Sequence, residues 1–279
     1  MPGLAFTLSD DMNEPTAANR RQRVQSAETG MAVLKGLARL DGRATLSALA
    51  LHLGESPAKV HRYLASLVEE GFVAQDGGSQ QYYLGPQSIR IGLAAMRQAD
   101  PIRYAEQSLV RLRETLGVTC FVAVMGNKGP TIMRMEEPGL PVTLNARAGS
   151  VMPLLWSATG RVFLGLLDEA RVLETARAEL SSATPEQRAR LAAKRPIEVI
   201  QAEVRQLGCA IVVDTYLRGI SAVAAPVHDF NGRVCAVICA LGATGGFDAS
   251  FDGPAGVAVR AEALVTSGRL GAVRACVPA

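Results

Sequence analysis

Ser56-Pro57-Ala58-Lys59-Val60-His61-Arg62-Tyr63-Leu64-Ala65-Ser66-Leu67-Val68-Glu69-Glu70-Gly71 is the stretch from which the organisation of the chain follows. Ser56 can accept from the first free backbone N–H groups, Pro57 suits a first turn where its missing donor costs nothing, and Gly71 can take a left-handed stop. The spacing predicts a helix with both ends specified. Val60, Tyr63, Leu64, Leu67 and Val68 form a packing stripe at helical spacing, while Ala58, Lys59, Arg62, Ala65 and Ser66 fall opposite it. Small residues and two cations are what a helix entering a DNA major groove would offer, but an ordinary solvated face has the same composition. The neighbours of the helix have to decide.

Upstream, Ser26, Ala27, Met31, Leu34, Leu37, Ala38 and Leu40 recur at helical spacing up to Asp41-Gly42, and a short second helix, Leu46 to Leu53, lies between Thr45 and Gly54. Only Gly54-Glu55 separates it from the Ser56 helix. A short helix, a tight glycine turn and a longer helix make a helix-turn-helix. Downstream the period switches: Phe72 to Gln75, a turn at Asp76-Gly77-Gly78-Ser79, then Gln80 to Leu84 predict a β-hairpin, placed as a wing would be. Three helices and a wing with a basic outer face favour DNA over the alternative use of such a module, protein contact.

Charge distribution agrees. The 279-residue chain carries a formal net charge of only +3, yet residues 20–62 hold eight Lys/Arg against three acids. Residues 1–25 lack periodicity and end in Arg20-Arg21-Gln22-Arg23, which predicts a tail with a basic end, either an arm along a DNA groove or a solvated terminus. After Gly85-Pro86, a helix to about Gln98 has small and apolar residues around most of its circumference. That is more than a free linker should expose, and it predicts packing against another subunit.

At 48% hydrophobic and 20% charged the composition is that of a soluble globular protein with room for two cores. No apolar run reaches the roughly 18 residues a membrane span needs, and the N-terminus lacks an export signal, so no membrane association and a cytoplasmic location are expected. Cys120, Cys209, Cys235, Cys239 and Cys276 show neither CxxC spacing nor nearby histidines. Neither a disulfide framework nor a metal site is expected; small buried hydrophobes fit better.

Beyond Asp100-Pro101, an amphipathic helix to Leu116 is followed by strand-like runs at 118–125, 131–135 and 142–145. A helix then leads out of Gly149 to Arg161 as far as Leu167, and further helices are predicted at 170–180, 185–193 and 197–207. Strands at 209–213, 221–227 and 233–241, the last two joined by Asn231-Gly232, precede a final helix from Pro254 to Leu270. No Gly-x-Ser-x-Gly, Walker or paired-carboxylate pattern occurs, and the only histidine of this half is His228. Catalysis and a bound cofactor are not expected.

From Ser26 to Val273 the chain resembles the IclR family of transcriptional regulators. The resemblance rests on Ala32-Val33-Leu34, Leu46-Ser47-Ala48-Leu49-Ala50, Val60-His61-Arg62-Tyr63-Leu64 and Tyr83-Leu84-Gly85-Pro86. In the second half it rests on Gly149 to Arg161, Gly219-Ile220 with Ala224-Ala225-Pro226-Val227, and Gly232-Arg233-Val234. It implies an α+β two-domain chain: a tail over 1–25, a winged helix-turn-helix over 26–85, a linker helix over 86–99 and a GAF-like mixed α/β effector domain over 100–279. Ala58-Lys59 stand where members usually carry Ser-Thr, so operator contacts should differ.

The expected DNA-binding residues are Lys59, Arg62 and Ser66 towards the major groove, Ser56 at the start of the same helix, Gln80 with the wing towards the backbone or minor groove, and Arg20, Arg21 and Arg23 on the flanks. His61, on the edge of the helix, is either a phosphate contact or a packing histidine. The partners expected are double-stranded operator DNA, a second copy of the chain, with dimers of dimers suggested by the family, and a small organic acid effector. The resemblance places that acid against Ala158, Thr159 and Gly160, where backbone N–H groups suit a carboxylate, and against Ala222, Cys239 and Leu241, with Asp214 in a nearby loop. Cys239 and Leu241 replace residues that are more often polar, Leu155 stands where His is usual, and Trp156 replaces a small residue. An aromatic or otherwise hydrophobic acid is therefore expected, with the alternative that Trp156, Cys239 and Leu241 are simply core. An enzyme tethered by its winged helix and a protein-interaction adaptor are the other classes.

Overall fold

The computed structural model describes residues 24–139 and 146–272, which form two compact units dividing between Gln98 and Ala99. The N-terminal unit begins with α1 (Gln25–Arg39), β1 (Arg43–Ala44), α2 (Leu46–Leu53) and α3 (Pro57–Glu69), and continues with β2 (Val73–Gln75), β3 (Tyr82–Leu84) and α4 (Pro86–Gln98). The Thr45 and Ser56 hydroxyls cap α2 and α3 by accepting from the Ala48 and Lys59 N–H groups. Between them Gly54 ends α2 at φ 65°, a left-handed stop that a side chain would disfavour. The core gathers Val33 and Leu37 of α1, Leu49 of α2, Val60, Leu64 and Leu67 of α3, and Val73 and Tyr82 of the hairpin. Leu37, Leu49 and Leu64 are fully buried, each worth about 2 kcal/mol of transfer free energy.

Two features differ from the expectation. Val68, assigned to the packing stripe, is 39% exposed near the end of α3, outside the core that stops at Leu67. Arg43 and Ala44 form a third strand on the wing, pairing with Tyr83 and Tyr82, so the order is β1-β3-β2 and the outer edge of the hairpin is covered. The Arg43 guanidinium also lies 5.3 Å from the centre of the Tyr83 ring.

The C-terminal unit is built on a five-stranded antiparallel sheet of order β5-β4-β8-β7-β6. Its strands are β4 (Thr119–Gly126), β5 (Gly129–Glu136), β6 (Ala210–Val213), β7 (Ile220–His228) and β8 (Val234–Ala243). Before them stands α5 (Pro101–Leu116), capped by the Asp100 carboxylate on the Ile102 and Arg103 N–H groups. Between β5 and β6 lie α6 (Ala158–Leu166), α7 (Ala170–Ser182), α8 (Pro185–Arg188) and α9 (Pro196–Leu207), and α10 (Pro254–Arg269) closes the unit. The helix expected over 185–193 is thus a single turn. The strand expected at 142–145 lies outside the described residues.

Strand alternation splits the interior into two layers. Cys120, Val122, Ile238 and Ala240 face a core shared with Leu109 and Leu112 of α5 and Val259 of α10. Phe121, Ala123, Cys239 and Leu241 face the opposite core, shared with Val162 and Phe163 of α6 and Val204 of α9. Cys120, Cys209 and Cys239 are buried and free, and burial pushes the Cys120 and Cys239 thiols up to about 12. At neutral pH they are small apolar fillers.

His228, at the end of β7, is partly buried, and its backbone N–H donates to the Ser267 hydroxyl of α10 at 2.9 Å. Burial lowers its pKa, with the neighbouring Asp229 opposing the shift. The unfolded state therefore takes up this proton first. Stability present above about pH 6.5, the ordinary histidine value, is lost as pH falls from there through the folded pKa. Thermal melts at stepped pH should show Tm declining over that window, and His228→Gln should flatten the decline.

Candidate functional site

Two surfaces carry the chemistry, one in each unit. On the outer face of α3, Ala58, His61, Arg62, Ala65 and Ser66 are all exposed and lie opposite the buried Val60, Leu64 and Leu67. His61 is therefore exposed and stands outside the core of its own unit. Among the described residues no ion pair engages Arg62. Lys59 differs: its ammonium lies 2.6 Å from the Glu55 carboxylate in the turn before α3, so its charge is already shared. Ser56 is occupied as the cap of the same helix.

On the wing, Asp76 Oδ1 accepts from the Ser79 and Gly78 N–H groups and from the Ser79 hydroxyl, and these bonds, that from the Ser79 backbone foremost, hold its carboxyl below the usual range. Gln80 sits at φ 55°, donates to the Gly77 carbonyl at 3.0 Å and accepts from Gln75. Its side chain closes the turn and does not stand free of it. Arg20, Arg21 and Arg23 lie outside the described residues.

In the C-terminal unit a narrow, partly open cavity of about 50 Å³ lies between the sheet and the start of α6. The sheet supplies Phe121, Val212, Ile220, Ala222, Cys239 and Leu241; Ser157, Ala158 and Thr159 supply the helix end; Ala146, Met152, Tyr216 and Leu217 complete it. Register explains the wall, because Phe121 faces Cys239 across one strand pair, Leu241 faces Ala222 across the next, and Ala222 faces Val212 beyond it. No charged side chain borders it among the described residues.

Its polar groups are few. Ser157 Oγ caps α6, accepting from the Gly160 N–H at 2.9 Å and donating to the Pro153 carbonyl at 2.6 Å. Thr159 Oγ1 is fully buried, and among the described residues only the Cys239 thiol, a weak partner, interacts with it. The loop before α6 is held from behind, because the Glu179 carboxylate of α7 accepts the Leu154 and Leu155 N–H groups at 2.8 and 3.0 Å, and Arg161 donates to the Leu155 carbonyl at 2.9 Å. Burial raises the Glu179 pKa against the pull of those two bonds.

Of the residues expected around an effector, Ala158, Thr159, Ala222, Cys239 and Leu241 border this cavity together. Trp156 does not; it is 5% exposed and packed within the core of that layer. Gly160 does not line it either. It lets α6 press on the preceding loop, where an added Cβ would fall 2.1 Å from the Pro153 carbonyl oxygen. Asp214 is turned into its own loop, accepting from the Gly219 N–H at 2.7 Å and the Thr244 hydroxyl at 2.9 Å. Phe121, Ala146, Met152, Val212, Tyr216, Leu217 and Ile220 were not anticipated, and of these only Ile220, two residues from Ala222 on the same strand, could have been signalled by alternation.

A winged helix-turn-helix followed by a mixed α/β domain with an apolar cavity defines a class of DNA-binding transcriptional regulators. Residues 26–77 match the IclR helix-turn-helix domain and residues 93–260 match the bacterial transcriptional regulator IclR C-terminal domain. The chain belongs to the IclR family. It is 27% identical over 202 residues to the HTH-type transcriptional regulator BhcR of Paracoccus denitrificans, covering 72% of this chain and 71% of that protein. Among solved structures, HmgR of Pseudomonas aeruginosa superposes with a TM-score of 0.81 at 38% identity, covering 90% of this chain and all of that one. An IclR homologue from Microbacterium hydrocarbonoxydans, complexed with 4-hydroxybenzoate, shares the fold with a TM-score of 0.50 at 17% identity, over 86% of this chain and 98% of that one.

Proposed function

We infer that this regulator is a one-component sensor whose C-terminal cavity takes an aromatic or otherwise hydrophobic organic acid and thereby changes how its paired winged helices engage an operator. The observation that carries the ligand class is the cavity itself. Its walls are apolar, and the buried Thr159 hydroxyl, with no partner among the described residues but the weakly bonding Cys239 thiol, sits in the first turn of α6, where backbone N–H groups favour a carboxylate. A flat apolar body with one polar head fits that arrangement; a short hydrophilic acid would leave most of the wall against water. The 4-hydroxybenzoate complex of the Microbacterium homologue supports the same class.

On the DNA side, Arg62, His61 and Ser66 are read as groove and backbone contacts, with Lys59 released from Glu55 when a phosphate competes for it. Helix α4 supports a homodimer: it buries none of its residues, and Ile89, Ile91, Leu93 and Met96 are exposed along it. Among the described residues no helix is long and apolar enough to cross a membrane. The protein is read as a binding protein and not an enzyme, so a bound acid should be recovered unchanged.

The test is a titration of the purified protein with benzoate, 4-hydroxybenzoate and a short hydrophilic acid, followed by the fluorescence of Trp156, the chain's single tryptophan. Saturation by the aromatic acids is expected, with roughly tenfold weaker binding in Thr159→Val, which removes the hydroxyl and keeps the shape. Saturation by the short hydrophilic acid alone would overturn the ligand class.

A further inference from the structure

The segment joining β6 to β7 is held at both feet and apolar at its tip. At one foot, Asp214 has φ 52°, a left-handed conformation that few side-chain-bearing residues adopt, and its N–H donates to the Ile220 carbonyl at 3.0 Å. Its Oδ1 reaches across to the Gly219 N–H at the other foot and to Thr244 beyond the end of β8. From outside, Arg190 donates to the Asp214 and Thr215 carbonyls at 2.9 and 3.0 Å. The tip, Tyr216 and Leu217, borders the cavity while remaining 45% and 44% exposed. Two large apolar side chains half in water at a cavity rim are poorly accommodated where they stand, and movement of the tip would change access to everything beneath it.

We propose that Asp214 is a positioning residue that holds the Tyr216–Leu217 tip over the cavity mouth, so that this loop sets what enters and how fast it leaves. This gives the residue a role through the loop and not through contact with the ligand. The biological use of such a gate rests on the reading of the cavity as an effector site. The gate itself does not, because the cavity contains its own reporter. The Cys239 thiol is on the cavity wall, and the Cys120 thiol, equally enclosed, faces the other side of the sheet. Each thiol is compared with its own rate in the parent protein, so a change at Cys239 without one at Cys120 reports access to the cavity and not general loosening.

The experiment labels the full-length protein with methyl methanethiosulfonate and follows each cysteine by peptide mass spectrometry. Asp214→Gly tolerates the left-handed backbone but removes the carboxylate, and Cys239 labelling is expected to accelerate about tenfold with Cys120 unchanged. Asp214→Asn keeps an acceptor oxygen and is expected to stay near the original rate. Tyr216→Ala with Leu217→Ala removes the cover and is expected to match Asp214→Gly. Equal Cys239 rates in the parent and Asp214→Gly would overturn the proposal, as would Cys120 accelerating in step, which marks general loosening. If no acid binds in the Trp156 titration while Cys239 follows this pattern, the ligand class fails and the gate stands.

Discussion

Arg62→Ala is expected to weaken binding to a specific operator by at least tenfold while leaving the melting temperature of the protein unchanged. The side chain is exposed on the outer face of α3, away from the buried Val60, Leu64 and Leu67, and no ion pair among the described residues competes for it. A guanidinium free to reach a base edge contributes about 1–3 kcal/mol of discrimination, and a dimer makes the contact twice. Surface substitutions of this kind move stability by no more than about 0.5 kcal/mol. Anisotropy titrations against specific and unrelated DNA across salt separate the modes of contact. A base contact costs specificity, whereas a phosphate contact weakens all sequences alike and lowers the salt slope by about one. Lys59→Ala should cost less, because Glu55 already neutralises part of that charge. Undiminished specific affinity in Arg62→Ala would show that α3 does not dock by this face. Affinity for all DNA that ignores salt would instead favour a protein-contact role for the module.

Gly160→Ala is expected to be the most damaging single methyl in the C-terminal unit. The added Cβ would lie 2.1 Å from the Pro153 carbonyl oxygen and 2.5 Å from the Leu154 Cα, both backbone atoms with nowhere to rotate. Either α6 moves outward, or the loop that Glu179 clamps through the Leu154 and Leu155 N–H groups gives way. Overpacking of this kind costs about 3 kcal/mol. Because Ser157, Ala158 and Thr159 border the cavity immediately before this glycine, ligand binding should fail along with stability. Urea melts followed by Trp156, which reports on this unit alone, measure the first loss, and the aromatic-acid titration measures the second. A melt unchanged within about 0.5 kcal/mol would show that the close approach is easily relaxed.

The helix-turn-helix was legible because its signals are local: two capped helices, a two-residue glycine turn and a change of period at the wing. What escaped there was also local but too brief to carry a period. Two residues, Arg43 and Ala44, make a strand only because Tyr82 and Tyr83 lie beside them, and helical spacing gives the centre of a packing stripe but not its edge, where Val68 falls. In the C-terminal unit the elements could be read, yet the cavity depends on which strand lies beside which. Phe121 and Cys239 are 118 positions apart and meet through register, which no window of sequence contains. Resemblance to a family carries a position across, not the direction of a side chain. That is why Thr159 and Cys239 border the cavity whereas Trp156 turns into the core and Asp214 into its own loop.

Three of the cavity's lining residues, Ala146, Ala158 and Ala222, end in a single methyl. Each is a place where every substitution other than glycine adds volume. A valine or leucine there would subtract volume from the cavity without disturbing the hydrogen bonds that build it, since none of the three contributes a polar side chain. On the reading of this cavity as the effector site, single steps there are expected to retune the protein from larger to smaller ligands, with no substitution made in the DNA-reading unit. That makes the chain a practical starting point for a laboratory series of sensors with graded ligand size.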